Sequence, residues 1–137
     1  MKPYRSAIAS LVLCLAALPA CSGDDDDSGA PPLTEAQRHG VGAACDADAD
    51  CYVNTTKLEC LPFKGGYCGL EGCATSDDCP AGSGCVTHDD GKNYCFLLCV
   101  EKTDCNATRP ADIEANCVSN ITFADGSKDH KACVPPS

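Results

Sequence analysis

Cysteine is the residue type with the greatest capacity for chemistry in this chain, since 14 of its 137 residues are cysteines. Cysteines at this density serve as metal ligands, as redox-active thiols or as disulfide partners. Zinc sites generally combine closely spaced cysteine pairs with matching His or Cys partners, and thioredoxin-like redox sites use C-x-x-C. This chain has no C-x-x-C; its nearest cysteines are Cys95 and Cys99, then Cys68 and Cys73. The spacing favours structural disulfides, and we assign no metal or cofactor site.

Histidines and serines are the other candidates for chemistry. The chain has three histidines, His39, His88 and His130, and no serine lies in a nucleophile motif such as G-x-S-x-G. His88 and His130 fall on predicted strands, where we expect solvated side chains. We therefore assign no catalytic residue and predict that the protein is not an enzyme.

The charge and composition exclude further classes. The net charge is −10, and removal of an N-terminal signal containing Lys2 and Arg5 leaves eight basic and twenty acidic residues, a net charge of −12. Such a chain repels nucleic acid, so we expect a neutral or cationic partner. With 5 % aromatic residues and no Trp, the chain is not expected to form a large hydrophobic core. Small domains of this kind need covalent staples, because burial alone supplies only about 3–5 kcal/mol.

Twelve of the cysteines form three groups of four, with units at about residues 45–68, 73–95 and 99–133. Each group opens with the same head, two cysteines separated by five residues with Asp before the second: "CDADADC", "CATSDDC" and "CVEKTDC". The interval between the third and fourth cysteines grows from seven to nine to fifteen residues. A fixed head with an extensible tail is typical of a repeated supersecondary unit. The predicted fold is small and disulfide-rich, with three repeated four-cysteine β-hairpin units and little helix.

The predicted hairpins limit the disulfide pairing. Each tail carries a two-residue turn signal: Gly65-Gly66, Asp90-Gly91 or Asp125-Gly126. With these pairs as the central turn residues, the fourth cysteines Cys68, Cys95 and Cys133 face Phe63, Val86 and Val118. The third and fourth cysteines then lie on opposite faces and do not bond to each other.

Two connectivities within each unit remain, and bridges between units stay open as well. We prefer first-to-third and second-to-fourth pairing over first-to-fourth and second-to-third. The preferred disulfides are Cys45–Cys60, Cys51–Cys68, Cys73–Cys85, Cys79–Cys95, Cys99–Cys117 and Cys105–Cys133.

The Asp before each second cysteine has a structural interpretation. An Asp carboxylate stabilises a turn by accepting a backbone N–H two residues on, and we expect this of Asp50, Asp78 and Asp104. Calcium binding is the alternative. Asp46, Asp48 and Asp50 match the start of an EF-hand loop, but Cys51 and Lys57 replace its Gly and Glu. The run Asp24 to Asp27 lacks a turn scaffold to hold a cation.

Residues 1–20 have the organisation of an export signal. Lys2 and Arg5 precede an apolar run from Ser6 to Leu18, which is too short to span a bilayer. Residues 22–32, "SGDDDDSGAPP", form an extended acidic tether that belongs to a segment 21–40. Thr34 and Gln37 predict a capping box for one or two helical turns that end at Gly40. The disulfide-rich domain is predicted to cover residues 41–137.

Two stretches resemble known patterns. "LPAC", ending at Cys21, resembles the lipobox of bacterial lipoproteins. The resemblance implies cleavage before Cys21, a diacylglycerol thioether and an amide-linked chain such as palmitate on that residue, and an outer-membrane lipoprotein facing the periplasm or the cell surface. Over residues 42–105, "GAACDADADC" and "GCATSDDCPAGSGC" resemble repeats of predicted cysteine-rich lipoproteins of Gram-negative bacteria, and more distantly the N-terminal cysteine-rich domain of Dickkopf proteins.

Together these observations predict an exported, lipid-anchored, non-enzymatic module for surface binding or structure, built as a rod of three units. Its expected contacts are the membrane, through the lipid, and a protein or glycan partner. The third hairpin, with its tip at Ala124 to Ser127, is the longest loop available for a partner. A secreted protease inhibitor is the alternative function, because small stapled domains often present a stiff substrate-like loop.

Overall fold

A computed structural model describes residues 33–38, 40–53 and 56–137 of the protein. The predicted signal segment, the predicted lipidation site Cys21, the run Asp24 to Asp27 and His39 lie outside the described residues. The described residues form one short α-helix, nine short strands and four single-turn 3₁₀ helices. The helix is α1 (Glu35–Arg38) and the strands are β1 (Tyr52–Val53), β2 (Thr56–Lys57), β3 (Glu59–Leu61), β4 (Tyr67–Gly69), β5 (Ser83–Thr87), β6 (Asn93–Cys99), β7 (Asn116–Val118), β8 (Thr122–Phe123) and β9 (Lys131–Val134). The 3₁₀ helices are Asp48–Cys51, Ser76–Asp78, Lys102–Cys105 and Ala111–Ile113.

Six disulfides join the twelve domain cysteines. They are Cys45–Cys60, Cys51–Cys68, Cys73–Cys85, Cys79–Cys95, Cys99–Cys117 and Cys105–Cys133. In each unit the first cysteine bonds to the third and the second to the fourth, as the sequence favours. The predicted class, a small disulfide-rich fold of mostly antiparallel strands, is confirmed.

The predicted hairpin register is wrong. The third and fourth cysteines of each unit are direct cross-strand partners: Cys60 with Cys68, Cys85 with Cys95 and Cys117 with Cys133. In the second unit the Gly91 N–H donates to the His88 carbonyl and the His88 N–H to the Lys92 carbonyl, which makes a three-residue loop with Gly91 at φ 80°. One residue more than the two-residue turn shifts the pairing by one position and moves the facing cysteines to the same side.

The facing cysteines still do not bond to each other. Each is held by a cysteine of the head, so that in the second unit Cys85 bonds to Cys73 and Cys95 to Cys79. The third and fourth cysteines therefore do not bond to each other because each is bonded to a head cysteine, and not because they lie on opposite faces.

The three units do not form a rod. Strands of the second and third units share one five-stranded sheet in the order β7-β9-β6-β5-β8. Its edge strands β7 and β8 are joined by residues 119–121 alone, a path of at most about 15 Å. Across a flat sheet, four strand spacings take about 19 Å. The sheet must therefore curl, and its two edges approach each other.

The repeated heads share one hydrogen-bonding pattern. Oδ2 of Asp78 accepts the N–H groups of Ala74 and Thr75 at 2.8 and 3.0 Å. Asp50 and Asp104 bind the two N–H groups at the equivalent positions of their own heads. The predicted N–H donors, two residues after each Asp, were therefore wrong; the donors are the residues three and four before it. These bonds hold the pKa of each carboxyl below its ordinary value.

Two of the three candidate calcium ligands of the first head, Asp48 and Asp50, form hydrogen bonds within the fold. Asp48 Oδ1 accepts the Cys60 N–H at 2.9 Å, and Asp50 Oδ2 accepts two backbone N–H groups of the head itself. Asp48 therefore fixes the head to strand β3, and Asp50 stabilises the turn of the head.

The segment before residue 41 belongs in part to the folded body. The capping box forms as predicted, with the Thr34 N–H on Gln37 Oε1 at 2.8 Å and the Gln37 N–H on Thr34 Oγ1 at 3.2 Å. Ala36 is 0 % exposed, and its N–H donates to the Ala81 carbonyl at 2.7 Å. The folded body therefore begins before the predicted boundary at residue 41.

The small core depends on two side chains that link different units. Tyr67 from the first unit is 0 % exposed; its hydroxyl donates to the Cys133 carbonyl and accepts the Leu97 N–H, both at 3.0 Å. The buried guanidinium of Arg109 lies over the Tyr67 ring and donates to four backbone carbonyls. These acceptors belong to Gly42, Lys64, Gly66 and Ile113.

Candidate binding cleft

A cleft of about 300 Å³ lies where the two edges of the sheet approach each other. Its walls come from the end of β5, from β7, from the link 119–121 with the start of β8, and from the end of β9. The lining residues are Val86, Thr87, His88, Asp89, Asn116, Val118, Asn120, Ile121, Thr122, Val134 and Pro135.

The strand geometry explains which side chains line the cleft. Residues two apart in a strand share a face, so Asn116 and Val118 lie on one side of β7 while Cys117 lies on the other and bonds to Cys99. Thr122 is placed opposite Thr87 by the pairing of β8 with β5. The Cys99–Cys117 disulfide thus holds the β7 wall, and the pairing of β8 with β5 holds the opposite wall.

His88 is a wall residue that sequence reasoning misjudged. The prediction of a solvated strand histidine is wrong, because the His88 side chain is only 16 % exposed. Its ring packs edge-on against Phe63 at 5.1 Å between centroids. Its Nδ1 atom is buried without a hydrogen bond, and the closest carboxylate oxygen is Asp90 Oδ1 at 3.5 Å. His130, in contrast, is exposed as expected.

A sequence signal for His88 exists in retrospect. In the observed register, position 88 shares a face with Val86 and is opposite position 92, next to buried Tyr94. A three-residue turn at residues 89–91 brings Tyr94 next to the histidine across the strand pair, whereas a two-residue turn would put Asn93 opposite it.

The charge of the cleft wall is neutral to negative. Among the described residues, Asp89 is the acidic side chain of the lining, and no Lys or Arg lines the cleft. Nearby Asp90 accepts the Lys92 N–H and the Tyr94 hydroxyl, which lower the pKa of its carboxyl. The Lys92 ammonium is paired with Glu71 at 2.8 Å. This wall disfavours anionic ligands.

The lining is suited to binding and lacks a nucleophile paired with a base. Within residues 33–38, 40–53 and 56–137, no cysteine or serine lines the cleft, and the Thr87 hydroxyl donates to Asn93 Oδ1 at 2.8 Å. Elsewhere in the described residues, sulfurs such as those of Cys45, Cys51 and Cys68 lie within 4.8 Å of one another. They are bonded in disulfides, so they are not thiolate ligands.

The loop predicted as a presented hairpin tip is instead held against the second unit. The Ala124 N–H donates to the Cys85 carbonyl at 2.9 Å, and the Ser76 hydroxyl donates to Asp125 Oδ2 at 2.7 Å. Bonds from the Ser127 N–H and the Ser76 hydroxyl lower the pKa of Asp125 to about 2. Strand β8 leaves the third hairpin to pair with β5, which explains why this tip does not extend freely.

Asn106 has a structural role in the third head. Its amide donates to the Lys102 and Ala115 carbonyls and accepts the Ala115 N–H. These bonds join the third head to the chain before β7.

Comparisons of this chain with protein-family models, with curated proteins and with solved structures find no match. The described part of the chain contains no helix with the length and apolar character needed to cross a bilayer. Six disulfides indicate an extracellular or exported protein.

Proposed function

We propose that the protein is an exported, lipid-anchored, non-enzymatic module that binds a partner at the bacterial cell envelope. Cys21 carries the lipid in the outer membrane, and the acidic segment that follows separates the folded body from the bilayer. The resemblance of "LPAC" to a lipobox supports the anchor. Two or three acyl chains give stable anchoring, whereas one gives only marginal binding.

The observation that carries the binding role is the stapled cleft. Its walls come from two units, and disulfides fix both. A wall that is ordered before binding loses little conformational entropy when a ligand arrives. Asn116, Asn120 and Thr122 line the cleft with exposed polar side chains that make no hydrogen bond to another described residue, which favours a binding role.

The anchor is tested by replacing single cysteines of the N-terminal segment. Cys21→Ser removes the acceptor of the lipid, so we expect the protein to move from the membrane fraction to the soluble exported fraction. Cys14→Ser is the matched control, because Cys14 leaves with the signal and its loss should not change membrane retention. Peptide-mapping mass spectrometry under non-reducing conditions should find the acyl mass on Cys21 and six disulfides.

Two results would contradict the anchor. One is membrane retention of the Cys21→Ser protein at the level of the unmodified protein. The other is an N-terminal peptide of the mature protein without acyl mass.

A further inference from the structure

We infer that the cleft binds an uncharged glycan segment of one or two sugar residues. This inference rests on the proposed binding function and names the chemical class of the partner. It depends on the size of the cleft, on the unpaired polar groups of its wall and on its charge.

The volume limits the size of the ligand. At about 300 Å³ the cleft is at the small end of the range for ligand pockets, roughly 300–1,000 Å³. One or two sugar rings suit this volume, and a longer glycan extends beyond its open side.

The polar wall matches the hydroxyl groups of a sugar. Asn116, Asn120 and Thr122 are exposed and line the cleft, and their side chains make no hydrogen bond to another described residue. An Asn amide offers both donors and acceptors, and a threonine hydroxyl does the same. Each sugar hydroxyl also donates and accepts, so adjacent hydroxyls on a ring can pair with both kinds of group.

The apolar wall matches the C–H face of a sugar ring. Val118, Ile121 and Val134 line the same cleft as the two asparagines. A ligand with one apolar face and a polar rim satisfies both parts of this lining. A hydrophobic ligand would leave the amides of Asn116 and Asn120 desolvated and unpaired, which is costly.

The charge of the wall selects an uncharged ligand. No Lys or Arg of the described part of the chain lines the cleft, so these residues offer no cation to compensate a phosphate, a sulfate or an acidic sugar. Asp89 is the one carboxylate of the lining, and it is exposed to solvent, where attraction to a cation is weak. Hydrogen bonding to neutral hydroxyls is therefore the interaction that the wall provides.

The test is a titration of the mature chain with its disulfides intact, carrying Cys21→Ser for solubility. Maltose, cellobiose and N,N′-diacetylchitobiose are the neutral probes, glucuronate is the anionic probe and glucosamine the cationic one. We expect at least one neutral disaccharide to shift the side-chain amide signals of Asn116 and Asn120 in ¹⁵N-correlation NMR spectra. Glucuronate and glucosamine should produce weaker shifts at the same concentration.

Substitutions of residues in the cleft wall test whether the disaccharide binds in the cleft. Asn116→Ala and Asn120→Ala should each weaken the affinity for the bound disaccharide by roughly fivefold, the loss of one net hydrogen bond. Ser119→Ala is the matched control, because Ser119 is exposed and adjacent but does not line the cleft. Its affinity should be unchanged.

Three results would overturn the inference: no shift with any neutral disaccharide, a stronger response to either charged probe, or equal affinity in the Asn variants and the Ser119 control. Membrane retention of the chain with Cys21 is measured separately. Failed glycan binding with retained anchoring refutes the ligand class alone, whereas release of that chain from membranes refutes the anchor of the proposed function.

Discussion

Tyr67→Phe isolates the contribution of one hydroxyl group to the contact among the three units. Tyr67 lies on β4 of the first unit, and its hydroxyl binds backbone groups of Leu97 on β6, which connects the second unit to the third, and of Cys133 in the third unit. Phenylalanine keeps the ring and its packing against Phe96, at 5.1 Å between centroids, and removes only the hydroxyl. The substitution therefore tests the two hydrogen bonds without creating a large cavity.

The expected cost follows from the groups left behind. Without the hydroxyl, the Leu97 N–H and the Cys133 carbonyl both lose this partner in the core. A buried backbone group without a partner costs about 1–3 kcal/mol. We expect the free energy of unfolding to fall by about 2–4 kcal/mol, which is large for a domain with so small a core.

Guanidinium unfolding with the disulfides intact, followed by near-ultraviolet circular dichroism, measures this change. The matched control is Tyr94→Phe, because the Tyr94 hydroxyl donates to Asp90, whose carboxylate is exposed and can bind water instead. Amide hydrogen exchange should be faster at Leu97 in the Tyr67→Phe protein and unchanged there in the control. A loss of stability in Tyr67→Phe no greater than in Tyr94→Phe, or unchanged exchange at Leu97, would refute the reasoning.

Two further predictions concern Arg109 and the repeated heads. Arg109→Lys should lower the free energy of unfolding by at least about 2 kcal/mol, because one ammonium cannot bind the four carbonyls that the planar guanidinium reaches. Thermal unfolding measures this loss. A change within experimental error would contradict the proposed role of Arg109 in linking the units. Since the folded-state pKa of Asp78 is lowered, its contribution to stability is present above the ordinary carboxyl pKa and is lost as the pH falls through the lowered value. Hydrogen exchange at Ala74 and Thr75, corrected for intrinsic rates, should therefore lose protection over that acidic range. In Asp78→Ala the protection should be low at every pH, while Asp78→Asn keeps one acceptor oxygen and should retain part of it; equal protection in all three proteins would exclude the carboxylate as the clamp.

The disulfide connectivity could largely be predicted from the sequence, although the predicted hairpin register was wrong. Equal head lengths in "CDADADC", "CATSDDC" and "CVEKTDC" require the same local geometry, so a single connectivity repeated in all three units is expected. Two-residue turns would place the third and fourth cysteines on opposite faces, but the three-residue loop at 89–91 places Cys85 and Cys95 on the same face. A turn signal such as Asp90-Gly91 indicates where the chain reverses but leaves the loop length open by one residue.

The role of the aspartates could also be predicted only in part. Their position before the second cysteine correctly indicated a role in a turn. The direction of the hydrogen bonds was not evident, because Asp78 can accept N–H groups on either side in sequence. The head folds back over the carboxylate as a single 3₁₀ turn, and that geometry selects Ala74 and Thr75 as the donors.

Disulfides rather than a large core hold this chain together, and this follows from its cysteine number, its cysteine spacing and its few bulky apolar residues, all of which are visible in the sequence. The pairing of β8 with β5, the curl of the sheet and the shared cleft of His88 and Asn120 are visible only in the folded protein. These features depend on contacts between residues far apart in sequence. Many short segments could pair with the free edge of β5. Packing selects β8, because its Phe123 is buried opposite Val86.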